Sequence, residues 1–351
     1  MASSKLINEC KLLMKWLDDE IETLVSVQSL RFFLIKAGSV AFCVGLTKDS
    51  GYHDALEAFI SVESVEEPVD DLPLLIVFDD PRLIHDCAGL SSQMLTDAQE
   101  RSKLSNNQML FNWDPQRRLV RYFNAQSRKG LFVAEELAAL PSWEWFSPLK
   151  EFVHIWALEK GAWLAHAATV GNSSGSGLLL VGPGGSGKST TCAQMIQSCY
   201  KTCGDDYVLL SYEANGVFAH AIYRTFKLMP RFNLQEGMAG VKTSGQADVL
   251  ETGKSVYFLK NAEFDSVIPK MFITEIIGLR LVEGFGNSIQ FKALGYTHFA
   301  MSSHGQIPVW LDKSLAVSRA IFERLPCQLI EVKRDREGLE AVSAYIQESL
   351  A

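Results

Sequence analysis

Gly182-Pro183-Gly184-Gly185-Ser186-Gly187-Lys188-Ser189 satisfies G-x-x-x-x-G-K-[ST] at every fixed position, and Thr190 follows it. Four apolar residues, Leu178–Val181, precede the loop, and a helical pattern over about 187–200 follows. Glycines let backbone N–H groups turn inward into an anion-sized nest, and the start of a helix adds the positive end of its dipole. Lys188 can reach the β- and γ-phosphates of a nucleotide, and the Ser189 hydroxyl can ligate Mg²⁺. The run 182–190 therefore reads as a binding loop for ATP or GTP with Mg²⁺. A Gly-rich turn that merely fits the pattern would not need the strand, the Lys-Ser pair and the helix together.

Gly182-x-Gly184-x-x-Gly187 also fits a dinucleotide fingerprint, with Asp205 and Asp206 about 20 residues on, where a ribose-binding acid would sit. That reading has no use for Lys188-Ser189, and such a motif usually opens its domain, whereas the apolar run Ala162–Val170 precedes this one. The ordinary ATPase pattern of an acid closing an apolar strand is missing, because Asp205-Asp206 comes before the run Tyr207–Leu210. No LSGGQ-like segment follows the loop, which argues against a transporter ATPase.

Two adjacent carboxylates can divide labour between metal and proton. Asp205 and Asp206 lie 17 and 18 residues after Lys188, a spacing one helix and a return to the sheet would fill. A solvated turn is the plain alternative for such a pair. Arg224, Lys227 and Arg231 recur at three- and four-residue spacing and suit either phosphate neutralisation or a solvated basic face. His166, in the apolar run WLAHAATV, is either a satisfied core residue or part of the same site.

His166, the loop GPGGSGKS, the segment CGDDYV and the ending LPCQLIEVKRDREGLEAVSAYI together resemble, over about residues 150–345, the catalytic domain of the HPr kinase/phosphorylase family and its kinase-like relatives. The resemblance implies a core shared with phosphoenolpyruvate carboxykinase and ATP-dependent phosphorylation of a serine hydroxyl. It further implies that Asp205 is the catalytic base, Asp206 a metal-side acid and His166 a neighbour of the phosphates. The family's EIRGLG signature has only a partial echo in Glu275–Leu279, with Ile277 where the arginine belongs. Residues 1–146 do not resemble the sensor domain of the true HPr kinases. They look more like the leading region of relatives encoded with peptide-modifying enzymes.

Around these residues the chain of 351 supplies 47% hydrophobic and 21% charged residues, enough for two domains with cores of their own. Residues 1–150 carry 15 basic and 22 acidic side chains, and 151–351 carry 18 and 19, so neither half has the basic excess that nucleic-acid binding needs. No apolar run approaches the roughly 18 residues of a membrane span, and the N-terminal segment lacks the pattern of a secretory signal. Seven scattered cysteines without a C-x-x-C pair read as reduced thiols of a cytoplasmic protein.

The stripe Ile7, Cys10, Met14, Leu17, Ile21 and Leu24 predicts a helix over 5–24, and Arg31–Leu46 reads as two strands broken at Gly38-Ser39. Strands are expected at Leu74–Phe78, Leu119–Asn124 and Gly130–Val133, and a polar loop or exposed helix over 96–108. Ser147 as N-cap, Pro148 at the first position and Gly161 past the end mark a helix, which places the domain boundary near 147. Beyond it come a strand Ala162–Val170, the strand–loop–helix unit, a hairpin at Asn215-Gly216 with its second strand Val217–Tyr223, and strands at 255–260, 272–282 and Gln328–Val332. Helices near 313–324 and 336–349 flank the last strand. The expected architecture is α/β: a mixed-sheet P-loop kinase core over 147–351, and a separate α+β substrate-facing or assembly domain over 1–146. The expected activity is Mg·ATP-dependent transfer to a hydroxyl of a protein or peptide. A small-molecule kinase (of free serine, for example) and a nucleotide-binding module without transfer are the alternatives. Neither nucleic acid nor membrane is expected as partner, and a homo-oligomer is compatible with the sequence.

Overall fold

Alternating apolar residues in the first third and a glycine-interrupted strand–helix unit in the second fold into two compact units, both of mixed α/β composition. The computed structural model describes residues 2–27, 30–48, 50–94, 108–228, 254–258, 266–283 and 288–351. One unit comprises Met1–Lys36, Ala41–Glu57 and Ser61–Phe152; the other comprises Val153–Ala351 with the short segments Ala37–Val40 and Ala58–Ile60.

The first unit contains, in chain order, α1 (Ala2–Val27), β1 (Leu30–Ala37), β2 (Val40–Thr47), α2 (His53–Leu56), β3 (Val62–Val65), β4 (Leu74–Asp79), α3 (Pro81–Met94), β5 (Met109–Asp114), β6 (Leu119–Asn124), β7 (Lys129–Ala134) and α4 (Ser142–Phe146). Its sheet runs β3-β1-β2-β4-β7-β6-β5, parallel at β2–β4 and β4–β7 and antiparallel at β1–β3, β7–β6 and β6–β5. Leu17, Ile21 and Leu24 of α1, and Leu83, Ile84 and Cys87 of α3, cover one face formed by alternate residues such as Leu74, Ile76 and Phe78. The intervening residues are buried as well, which is why β4 reads as a continuous apolar run. Within this unit Arg121 of β6 is buried between Glu144 at 2.5 Å and Glu151 at 3.5 Å.

The helix expected from Ser147 starts later. Ser147 closes α4 by donating its backbone N–H to Trp143 O at 3.2 Å, and Leu149 adopts a left-handed φ of 57°. Helix α5 therefore runs Lys150–Glu159, although Gly161, with φ 71°, does follow its end. The stretch expected as a polar loop or exposed helix over 96–108 lies almost wholly outside the described residues, as do the last two residues of the strand expected at 255–260.

The second unit continues with β8 (Trp163–Ala165), β9 (Ala168–Gly171), β10 (Ser176–Val181), α6 (Lys188–Gln197), β11 (Val208–Glu213), β12 (Gly216–His220), β13 (Thr225–Leu228), β14 (Ser255–Phe258), β15 (Lys270–Val282), β16 (Ile289–Ala293), α7 (Tyr296–Gln306), α8 (Leu311–Phe322), β17 (Cys327–Lys333) and α9 (Arg336–Leu350). The 13-residue β15 is its axis. Its N-terminal half pairs antiparallel with β12, its C-terminal half pairs parallel with β17, and β10 runs parallel along its middle. Helices α6 and α9 share a core with β10, β15 and β17 through Met195, Ile196, Val342, Ile346, Leu180, Ile277 and Ile330. Parallel β10, β15 and β17 all end at the side from which the glycine loop leaves, the side where ligands bind in such sheets. No helix among the described residues is long and apolar enough to cross a membrane.

Candidate functional site

The glycine loop leaves β10 at Gly182 and enters α6 at Lys188. Gly182, Gly185 and Gly187 have φ of 146°, 79° and 101°, conformations that side-chain-bearing residues rarely adopt. Gly182 is required twice over, since a Cβ there would lie 2.4 Å from Leu279 O. At Gly184 and Gly185 a Cβ would meet nothing within 4 Å, so the loop's outer surface is open to a ligand. Lys188 is buried and donates from Nζ to Gly182 O at 2.7 Å and Pro183 O at 3.2 Å. Burial pushes its pKa down, opposed by the charges of Asp205 and Asp206.

A pinned turn holds the two acids at this loop. Cys203 N donates to Thr169 Oγ1 at 2.7 Å, Thr169 N donates to Gly204 O at 3.1 Å, and Gly204 N donates to Thr202 Oγ1 at 2.9 Å. These bonds tie 202–204 to β9, the neighbour of β10. Gly204 has φ 143° and Asp206 a left-handed φ of 72°, so the chain turns sharply here.

Asp205 is 1% exposed, and neither of its carboxylate oxygens has a hydrogen-bond partner among the described residues. Burial and the Asp206 charge raise its pKa to about 6, with the nearby Ser189 hydroxyl, Lys188 and Lys254 offsetting part of the rise. Asp206 is already paired: Lys227 Nζ of β13 lies 2.5 Å from Oδ2 and His166 Nε2 lies 3.3 Å from Oδ1. Burial alone would raise the Asp206 pKa, but Lys227 and His166 hold it well below the usual carboxylate range.

The expected strand Ala162–Val170 is broken, and His166 occupies the bend between β8 and β9. Its backbone N–H donates to Ser303 Oγ at 2.8 Å, and its Nδ1 lies 2.9 Å from Ser302 Oγ. Tyr207 packs against the imidazole at a centroid distance of 5.6 Å and donates its hydroxyl to Gln306 at 3.3 Å.

Lys188, Ser189, Asp205, Asp206, His166 and Lys227 thus form one cluster. Lys227 is bound to Asp206, Arg224 donates its backbone N–H to Ala58 O, and Arg231 lies outside the described residues. Glu275 sits within β15 beside Gln328 at 2.5 Å, and Arg280 pairs with Glu331. The EIRGLG-like segment is therefore core strand. Ser302, Ser303 and Gln306 had no signal in the sequence, because α7 is weakly patterned and their contacts span more than 90 residues; Lys254, whose charge acts on Asp205, belongs to no motif.

Among the described residues no group of three or more His, Cys, Asp or Glu side chains could hold a metal ion. A hard cation would rely on the Ser189 hydroxyl, on Asp205 as the nearest carboxylate with unpaired oxygens, and on ligand oxygens. That donor set fits magnesium, which is commonly held by one or two carboxylates plus phosphates. Neither a family model nor a curated protein matches the chain.

Proposed function

We propose that the protein is a Mg·ATP-dependent phosphotransferase that moves the γ-phosphoryl group to a hydroxyl, of the kind the HPr kinase-like resemblance implies, with a protein or peptide serine as acceptor. The observation that carries the reading is a buried carboxylate with no hydrogen-bond partner among the described residues, Asp205, beside a lysine and a serine at the start of a glycine-loop helix. Its pKa, raised to about 6 by burial and the Asp206 charge, lies near the pH at which a carboxylate works as a proton acceptor.

In this reading 182–190 grip the phosphates through backbone N–H groups and Lys188. The acceptor oxygen forms a bond to the γ-phosphorus as the bond to the β-bridging oxygen breaks, and the acceptor's proton passes to Asp205. Magnesium, when bound, neutralises charge on the phosphate oxygens. Asp206, held by Lys227 and His166, stays ionised and keeps the turn rigid, so the Asp205 carboxyl is positioned without reorganisation.

The test is incubation of the protein with γ-labelled ATP, Mg²⁺ and a cell lysate, followed by separation of protein, peptide and small molecules. Label in a protein or peptide as phosphoserine is expected. Label confined to a small hydroxyl compound would replace the acceptor class, and nucleotide binding without any transfer would leave a binding module.

A further inference from the structure

Behind the glycine loop lies a cavity of 460 Å³, within the about 300–1,000 Å³ usual for small-ligand sites. The loop residues Ser186 and Gly187 form its near wall. The C-terminal ends of β15 and β17 supply Leu281 and Val332, and α9 supplies Leu339 and Val342, so the interior is apolar. The turn between β17 and α9 forms its far rim.

Three cations sit on or beside that rim, and two are occupied. Lys333 pairs with Asp335 at 2.7 Å and Glu337 at 3.4 Å, and Arg336 pairs with Glu340 at 2.7 Å. Asp335 is spoken for as well, since it caps α9 by accepting from Gly338 N at 2.9 Å. The exposed side chain of Arg334 has no hydrogen-bond or ion-pair partner among the described residues. At the opposite wall the Ser186 hydroxyl is 4% exposed and likewise unpartnered.

We infer that this cavity is the nucleoside subsite of the phosphate loop: it takes the base and ribose of a purine nucleoside triphosphate whose phosphates lie on 182–190. The inference rests on the phosphate-loop reading above and adds to it where the rest of the nucleotide goes. Continuity carries it, because the same residues, Ser186 and Gly187, belong to the loop and line the cavity. A flat base gains from the apolar walls, and a guanidinium free of other partners stacks on its face. No lining carboxylate is left free to read guanine, so binding comes from shape and stacking.

The experiment titrates the full-length protein, in Mg²⁺, with ATP and with inorganic tripolyphosphate, for the wild type, Leu339→Trp and Arg334→Ala. Filling the cavity in Leu339→Trp should weaken ATP by about tenfold or more, and Arg334→Ala by several-fold, with tripolyphosphate unchanged in both. Arg334 is exposed, so its variant reads the site even if the tryptophan disturbs folding. ATP binding no tighter than tripolyphosphate in the wild type, or ATP affinity unmoved in Arg334→Ala and in a folded Leu339→Trp, would overturn the subsite while leaving the phosphate loop intact. Wild type binding neither ligand would overturn the phosphate-loop reading itself, and the subsite with it.

Discussion

Asp205 and Asp206 are consecutive residues with opposite environments: Asp206 holds Lys227 Nζ at 2.5 Å, while Asp205, equally close to the glycine loop in sequence, has both carboxylate oxygens unpaired among the described residues. Asp206 itself has a left-handed backbone, φ 72°. One acid is fixed as an anion and the other left poised, its pKa about 6. Pairs of carboxyl groups driven apart in pKa are the arrangement from which acid–base roles follow.

Asp205→Asn preserves shape and removes the proton acceptor. Turnover should fall by about 10²–10⁴-fold while ATP affinity stays within about threefold. In the wild type, kcat/KM should fall below about pH 6 as Asp205 takes up a proton, and this limb should vanish in the residual activity of the variant. A magnesium titration separates the roles: a metal ligand would raise the Mg²⁺ requirement, whereas a base would not.

The same group has a cost in stability. Its folded-state pKa, about 6, lies above the ordinary 3.8, so the folded chain retains a proton that the unfolded chain has lost between about pH 4 and 6. That advantage disappears as pH rises through 6. Asp205→Asn should therefore raise Tm at pH 7.5, at about 2–4 °C per kcal/mol, and the gain should shrink at pH 4. Thermal scans at the two pH values check it; an equal shift at both would contradict the ionisation argument.

Asp206→Asn should act in the opposite sense. Its depressed pKa contributes stability that is present above the unfolded value and lost as pH falls below about 4. Removing the anion takes away the Asp206 contacts of Lys227 and His166, so Tm at neutral pH should fall. Double-mutant cycles with Lys227→Met should recover part of the loss if the ion pair is its source.

Gly182→Ala and Gly184→Ala make a matched test of the loop. The first places a Cβ 2.4 Å from Leu279 O at a φ of 146° and should abolish nucleotide binding; the second meets nothing within 4 Å and should leave the fold's stability unchanged. Circular dichroism and nucleotide titration of both variants decide. A Gly182→Ala protein that binds ATP normally would contradict the described loop conformation.

In the first unit, Arg121→Met should remove the guanidinium from the buried Glu144 carboxylate and cost about 3–5 kcal/mol. Urea denaturation of the full chain measures it. A loss under about 1 kcal/mol would mean that this carboxyl group is satisfied by other means.

What could be read from the sequence was whatever local chemistry dictates. Gly182, Gly185 and Gly187 announce themselves because their positive φ demands glycine, and helix α1 and the β6–β7 hairpin follow from periodicity and turn residues. The mixed α/β character followed from the same signals. What could not be read was set from far away. The apolar run 162–170 looks like one strand, yet hydrogen bonds from Ser302 and Ser303, more than 130 residues later, hold His166 in a bend. Lys227 carries no mark that distinguishes it from Arg224, and only the register of β13 brings it to Asp206. Helix α5 begins three residues after its apparent cap because Ser147 is already engaged in closing α4.

The most direct test of phosphotransfer at this site is a side-by-side assay of wild type, Lys188→Ala and Asp205→Asn with γ-labelled ATP, Mg²⁺ and the acceptor fraction, with nucleotide affinity measured on the same preparations. The wild type should place label on an acceptor hydroxyl. Lys188→Ala should lose binding or turnover, and Asp205→Asn should bind ATP normally while transferring about 10²–10⁴-fold more slowly. Transfer by Asp205→Asn at the wild-type rate would contradict the account.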